Sequence, residues 1–320
     1  MSKKNLSLDE TLRALAGETP IPSRVLKVLD RLTDAELDRL QATWPKLNDD
    51  RRAYIAAKLR LMARVDVRLD FGSIFRFLLS DVEPRVRLAA VKGLSEDESI
   101  ELIDLFVILL RSDPSDAVRA AAATALGQYM LLGVMDKLSR RRTEQVYSAL
   151  MGALLRSTET SRARRAALRA LAYVSNDEVD LRIRDAYASD YLPLRISAVF
   201  SMGRSNDRRY QHVVLHELTS VAPAMRREAA RAAGELELRE AVPTLIQLID
   251  DPTPEVRRAA VRALGQIGGE ESKKALDAAA RSKDPEIAGA AAKALAEHEF
   301  LYGDIKFSMG PFDELLDQRN

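Results

Sequence analysis

Two His-Glu pairs, His216-Glu217 and His298-Glu299, come nearest to metal chemistry in this sequence, because imidazole and carboxylate together suit iron or zinc. A centre of that kind needs several such ligands converging on one cavity, yet the chain has three histidines in all, the third being His212. The two pairs lie far apart and at unlike places, so they read as surface or packing residues, and neither a metal nor a cofactor is expected. Cysteine is absent, which removes disulfides, thiolate sites and a cysteine nucleophile. Asp49-Asp50 and Asp250-Asp251 fall at helix starts or turns, where acids favour the positive helix end. Gly265-Gln266-Ile267-Gly268-Gly269 reads as a helix terminator recurring with a repeat, not as a phosphate-cradling loop. No catalytic residue is expected, and the chain reads as non-enzymatic.

The remaining chemistry lies in the arginines. Lys plus Arg number 49 against 48 Asp plus Glu in 320 residues, a formal net charge of +1. Global charge therefore argues for neither nucleic acid nor an acidic membrane, although local fields remain open. With 47% hydrophobic and 30% charged residues the chain is too apolar to be disordered. Its arginines are patterned. An Arg between an aliphatic residue and an Ala-rich run recurs in Val86-Arg87-Leu88-Ala89-Ala90, Val118-Arg119-Ala120-Ala121-Ala122 and Val256-Arg257-Arg258-Ala259-Ala260. The same place is held by Arg164, Arg195 and Arg226, and by Ala288, at a constant step of 31 through Arg257. Arg119 to Arg164 is a step of 45, which implies about fourteen inserted residues near Tyr129 to Arg142. A weaker first copy surrounds Arg52.

Each unit must be a pair of helices. Asp251-Pro252-Thr253-Pro254-Glu255 is a turn followed by a helix start, with Pro tolerated in the first turn. Val256, Ala260, Leu264 and Ile267 then form one apolar stripe at helical spacing, and Gly268-Gly269 ends it. The partner helix is the Ala241 to Ile249 segment. So short a pair cannot bury its apolar face alone, and neighbouring pairs must stack. The expected fold is all-α, an alpha-alpha superhelix.

These units resemble HEAT repeats, particularly the bacterial phycobilisome-lyase HEAT-like type. The family pattern, an Asp at the inter-helix turn with Val-Arg five and six positions later, is matched by Asp81…Val86-Arg87, Asp113…Val118-Arg119 and Asp251…Val256-Arg257, and Pro243 matches the family's proline. The resemblance implies a right-handed solenoid in which these Asp and Arg residues form a ladder between neighbours. Thr158, Ser189 and Ser220 stand in the Asp place of the middle repeats, so the ladder is expected to break there. The HEAT-like deoxyhypusine hydroxylases hold two irons with four His-Glu pairs, twice what this chain has.

Opposite the apolar stripe, one column of second-helix positions reads Lys92, Thr124, Arg169, Phe200, Arg231, Arg262, Lys293, and a parallel one contributes Arg165, Ile196, Arg227 and Arg258. In HEAT solenoids the second helices line the concave surface, so the resemblance makes these residues a basic groove with an apolar spot at its middle. Acids on the first helices could neutralise it. The groove points to a non-enzymatic scaffold or adaptor whose partner is a protein or acidic peptide, partly apolar. The alternatives are an enzyme or subunit of the chromophore-lyase type, resting on the repeat resemblance, and binding to a nucleic-acid backbone, which the near-zero net charge disfavours. The oligomeric state is left open.

Residues 1–48 lack the repeat and read as a helical N-terminal cap, with a capping box at Thr33-Asp34-Ala35-Glu36. Residues 49–299 read as the solenoid, of about seven to eight helix pairs. The acidic, aromatic stretch 300–320 reads as a tail that packs on the last repeat or offers Phe307, Phe312, Leu315 and Leu316 to another protein. No apolar run approaches the ~20 residues of a membrane span, and no secretory segment follows the basic N-terminus, so the cytoplasm is expected.

Overall fold

The computed structural model describes residues 6–17 and 19–302, the last five by backbone alone. Among these residues every regular element is a helix, and the chain forms two compact units divided between Ser201 and Met202.

The first unit opens with α1 (Leu8–Ala16), α2 (Ser23–Leu26) and α3 (Asp34–Thr43), followed by α4 (Asp49–Val65). Ser7 and Thr33 each close a capping box, on Glu10 and Glu36, so both longer helices start where their sequences dictate. Leu15, Leu26, Leu29 and Leu40 are fully buried, and α1 packs on α4. Arg51 of α4 donates to the carbonyls of Ala14, Leu15 and Thr19 at 2.8–2.9 Å, satisfying the C-terminal end of α1 that the helix itself leaves unpaired.

Helix pairs follow: α5 (Gly72–Leu78) with α6 (Pro84–Gly93), α7 (Glu101–Ser112) with α8 (Asp116–Val134), and α9 (Arg140–Leu155) with α10 (Ser161–Leu171). Next come α11 (Asp177–Tyr187) and α12 (Leu192–Arg204), the helix within which the division falls. The second unit holds α13 (Gln211–Glu217) with α14 (Pro223–Glu235), α15 (Val242–Leu248) with α16 (Pro254–Ile267), and α17 (Glu270–Ala279) with α18 (Pro285–Tyr302). Second helices pack on one another, α4 on α6, α6 on α8 and α8 on α10, then α14 on α16 and α16 on α18. The predicted stripe Val256, Ala260, Leu264, Ile267 is buried, and Gly268 and Gly269 take φ of 69° and 88°, the left-handed region that glycine enters at little cost. Gly265 corrects the terminator reading: it lies inside α16, where a Cβ would come 2.9 Å from that of Ala294.

The extra residues of the 45-residue step form no loop; they lengthen α8 to 19 residues and α9 to 16. That makes α8 long and apolar enough to cross a bilayer, but half of its apolar window is buried in the unit, where it packs on α6, α7, α9 and α10.

The ladder exists and is more continuous than the sequence pattern implies. Arg87 Nε and Nη2 donate to Asp113 at 2.7 and 2.8 Å, and Arg226 does the same to Asp251 at 2.7 and 3.0 Å. Arg257 reaches Asp284 at 3.0 Å, and Arg52 Nε faces Asp81 at 3.4 Å. In each complete rung the third nitrogen, Nη1, donates to carbonyls of the arginine's own turn, as Arg87 does to Asp81 and Val82. The acid in turn accepts a backbone N–H two residues on, as Asp113 does from Ser115. The expected break at Thr158 does not occur. Glu159, one residue later, accepts from Arg119 at 2.9–3.1 Å, because its extra methylene spans the offset. At the next place, that of Ser189, Arg164 donates instead to the Leu154 carbonyl of its own pair.

The ladder acids should govern acid stability. Burial pushes the Glu159 and Asp251 carboxyls up, but hydrogen bonds from Arg119 and Thr160 to the first, and from Arg226 and Thr253 to the second, outweigh it and hold both below their ordinary 4.5 and 3.8. A carboxylate depressed in the folded chain binds protons more readily when unfolded, so its stabilisation is complete above the unfolded value and lost as pH falls. Urea midpoints are expected to be flat from about pH 7 to pH 5 and to decline below ~4.5. A midpoint that rises on acidification would contradict the ladder's role.

Candidate functional site

Trp44 ties the N-terminal segment to the first rung. Pro45 prevents α3 from continuing, and the short 3-10 turn Trp44–Lys46 buries the indole, whose N–H donates to Asp81 at 2.6 Å. This fixes the start of the stacked second helices, whose outward faces carry the candidate residues.

The predicted columns resolve into two hollows, one in each unit, that differ in how their cations are paired. In the first unit a cavity of about 290 Å³ is bordered by Lys92 on α6, Thr124 on α8, and Arg162, Arg165 and Arg169 on α10, over a floor of Ala117, Ala120, Ala121 and Ala166, with Ser197 of α12 at its side. Three predicted basic residues therefore meet there, and among the described residues no carboxylate lines it. Arg169 lies flat on Phe200, its guanidinium carbon 3.5 Å from the ring centroid, a cation–π contact that carries the apolar spot to the rim. Ile196 and Phe200 are half-buried, as an apolar spot available to a ligand would be. Arg162 was missed by the column because it stands one turn earlier on α10.

In the second unit a cavity of about 300 Å³ is bordered by Arg227, Arg231, Arg258 and Arg262, all four predicted, together with Glu228, Glu255 and Gln266. Here two of the four arginines are compensated. Arg231 pairs with Glu228 and Glu235, and Arg258 with Glu286 and, at 3.1 Å, with Glu255. The neutralising acids sit on second helices, not on the first helices where the sequence reading looked for them. Lys293 lines neither cavity and faces Glu297 at 3.7 Å. A stripe of uniform basicity is thus not what the chain presents.

His216 and Glu217 line neither hollow. His216 lies on α13 with Glu217 buried beside it, and His298 lies within α18, which runs on to Tyr302 instead of ending before it. Among the described residues no group of three His, Asp or Glu side chains could hold a metal ion. The tail residues Phe307, Phe312, Leu315 and Leu316 lie outside the described residues.

The profile of the HEAT-repeat family matches residues 74–172 and 212–296, more than half of the chain. The chain is a HEAT-repeat protein. Two solved structures similar to this HEAT-repeat chain are the complex of CpcE and CpcF of phycocyanin lyase from Nostoc sp. PCC7120 and human deoxyhypusine hydroxylase in complex with glycerol. The first is 20% identical over 60% of this chain and 75% of that one, with a TM-score of 0.43. The second is 17% identical over 92% and 96%, with a TM-score of 0.38. No curated protein matches the chain.

Proposed function

We propose that this HEAT-repeat chain is a non-enzymatic interaction scaffold that seats an acidic, partly apolar segment of a partner protein on the second-helix face of its first unit. The observation that supports this reading is the hollow bordered by Lys92, Arg162, Arg165 and Arg169, with no carboxylate among the described residues that line it. Fixed cations such as Lys92, Arg162 and Arg165, which make no ion pair among the described residues, attract an acidic surface and set its register. The alanine floor lets a bound chain come close to the helices, and Phe200 offers it apolar contact beside Arg169. The second-unit hollow, in which Arg231 and Arg258 are already paired, is assigned a structural part.

Affinity capture from native lysate with the wild type and with R165E/R169E tests this. Loss of the bound partner is expected from that variant, with a far smaller effect from R231A in the compensated hollow. Undiminished capture by folded R165E/R169E would remove the first-unit hollow from the account.

A further inference from the structure

The two hollows are built on equivalent repeat positions, so each serves as the other's control. With a step of 31, Arg165 corresponds to Arg227 and Arg258, and Arg169 to Arg231 and Arg262. The same step carries Glu255 and Glu286 onto Arg162, Glu228 onto Ala166, and Glu235 onto Tyr173. Wherever the second unit supplies an acid to its arginines, the first supplies a cation or an uncharged residue. Among the described residues none makes an ion pair with Lys92, Arg162 or Arg165. Arg165 also keeps its Nε buried without a hydrogen-bond acceptor. Arg162 and Arg165, three apart on one helix, repel each other, the reverse of the Glu255–Arg258 pair.

From this inversion we infer that the first-unit hollow is a seat for a phosphoryl dianion, carried on a phosphorylated side chain of the acidic partner segment. The inference rests on the scaffold reading above and names the group that its site selects. A carboxylate brings one charge and two oxygens. A phosphoryl group brings nearly two charges and three strong acceptors, which better matches Lys92, Arg162 and Arg165 around one cavity of about 290 Å³. Arginine's planar fork suits that geometry, and the Nε of Arg165 is a buried donor with no hydrogen-bond acceptor among the described residues. Phe200, beneath Arg169, takes an apolar residue next to the phosphorylated one.

The test is fluorescence anisotropy on the full chain with three labelled peptides that differ at one position, Leu-Asp-X-Phe-Glu-Leu with X as phosphoserine, glutamate or serine. The phosphoserine peptide should bind at least tenfold more tightly than the glutamate peptide, with millimolar inorganic phosphate competing. R162E installs the acid that the second unit has at the equivalent place. It should abolish the phosphoserine advantage while leaving thermal stability unchanged or raised, which separates loss of the seat from loss of the fold. Equal binding of the phosphoserine and glutamate peptides, both weakened by R165E/R169E, would overturn the phosphoryl seat and leave the acidic-partner reading standing. Failure of all three peptides to bind would overturn both.

Discussion

Replacing Arg87 by alanine is expected to destabilise the first unit by about 3–5 kcal/mol, the usual cost of leaving a buried charge without its partner. The Asp113 side chain is 2% exposed and Arg87 10%, so water cannot replace the two bonds that the guanidinium makes to the carboxylate. The loss extends to the turn before α6, whose Asp81 and Val82 carbonyls accept from the same guanidinium. Arg87→Lys keeps the charge without the fork and should fall between wild type and alanine. The chain's single tryptophan makes the measurement specific, because Trp44 is buried in the first unit and its emission follows the unfolding of that unit in urea. Arg257→Ala should cost markedly less, since Asp284 is 35% exposed and can be rehydrated. An Arg87→Ala midpoint indistinguishable from wild type would show that the ladder is ornamental.

Gly203→Ala should destabilise the second unit by roughly 1–3 kcal/mol through overpacking. A Cβ at that position would sit 2.7 Å from both the Cα and the Cβ of Ala232, and a backbone atom cannot swing aside as a long side chain can. Gly234 meets Ala263 and Gly265 meets Ala294 in the same manner, so the three form a column of close helix approaches. Gly289 supplies the opposite sign. It lies on α18 with open space around its Cβ direction, and Gly289→Ala should stabilise the chain by about 0.5–1 kcal/mol through helix propensity alone. Thermal melts followed by circular dichroism compare the two directly. A Gly203→Ala protein that melts at or above the wild-type temperature would mean that the helices separate without penalty.

Much of the fold was legible because helix pairing writes itself at a fixed step. The Val256 stripe, the Thr33 box and the Gly268-Gly269 stop each rest on local geometry that a few residues determine. Glu159 escaped because the family pattern was read at Thr158, and a pattern anchored on aspartate does not register that a longer acid can act from the neighbouring position. The compensation of Arg231 and Arg258 could have been found in the sequence. Glu228, Glu235 and Glu255 stand three or four residues from those arginines on the same helices, the separation at which helical side chains meet. Arg162 was harder, since its importance lies in a charge inversion that appears only when equivalent cavities are set side by side.

The close glycine contacts have a consequence for how such a chain can change length. Gly203, Gly234 and Gly265 keep the 31-residue step of the arginines. A gene duplication that copies one whole step therefore brings a rung, a turn clamp and a tight seam together, and the new layer docks without redesign. Any other increment must be spliced into helix length, the route taken by α8 and α9.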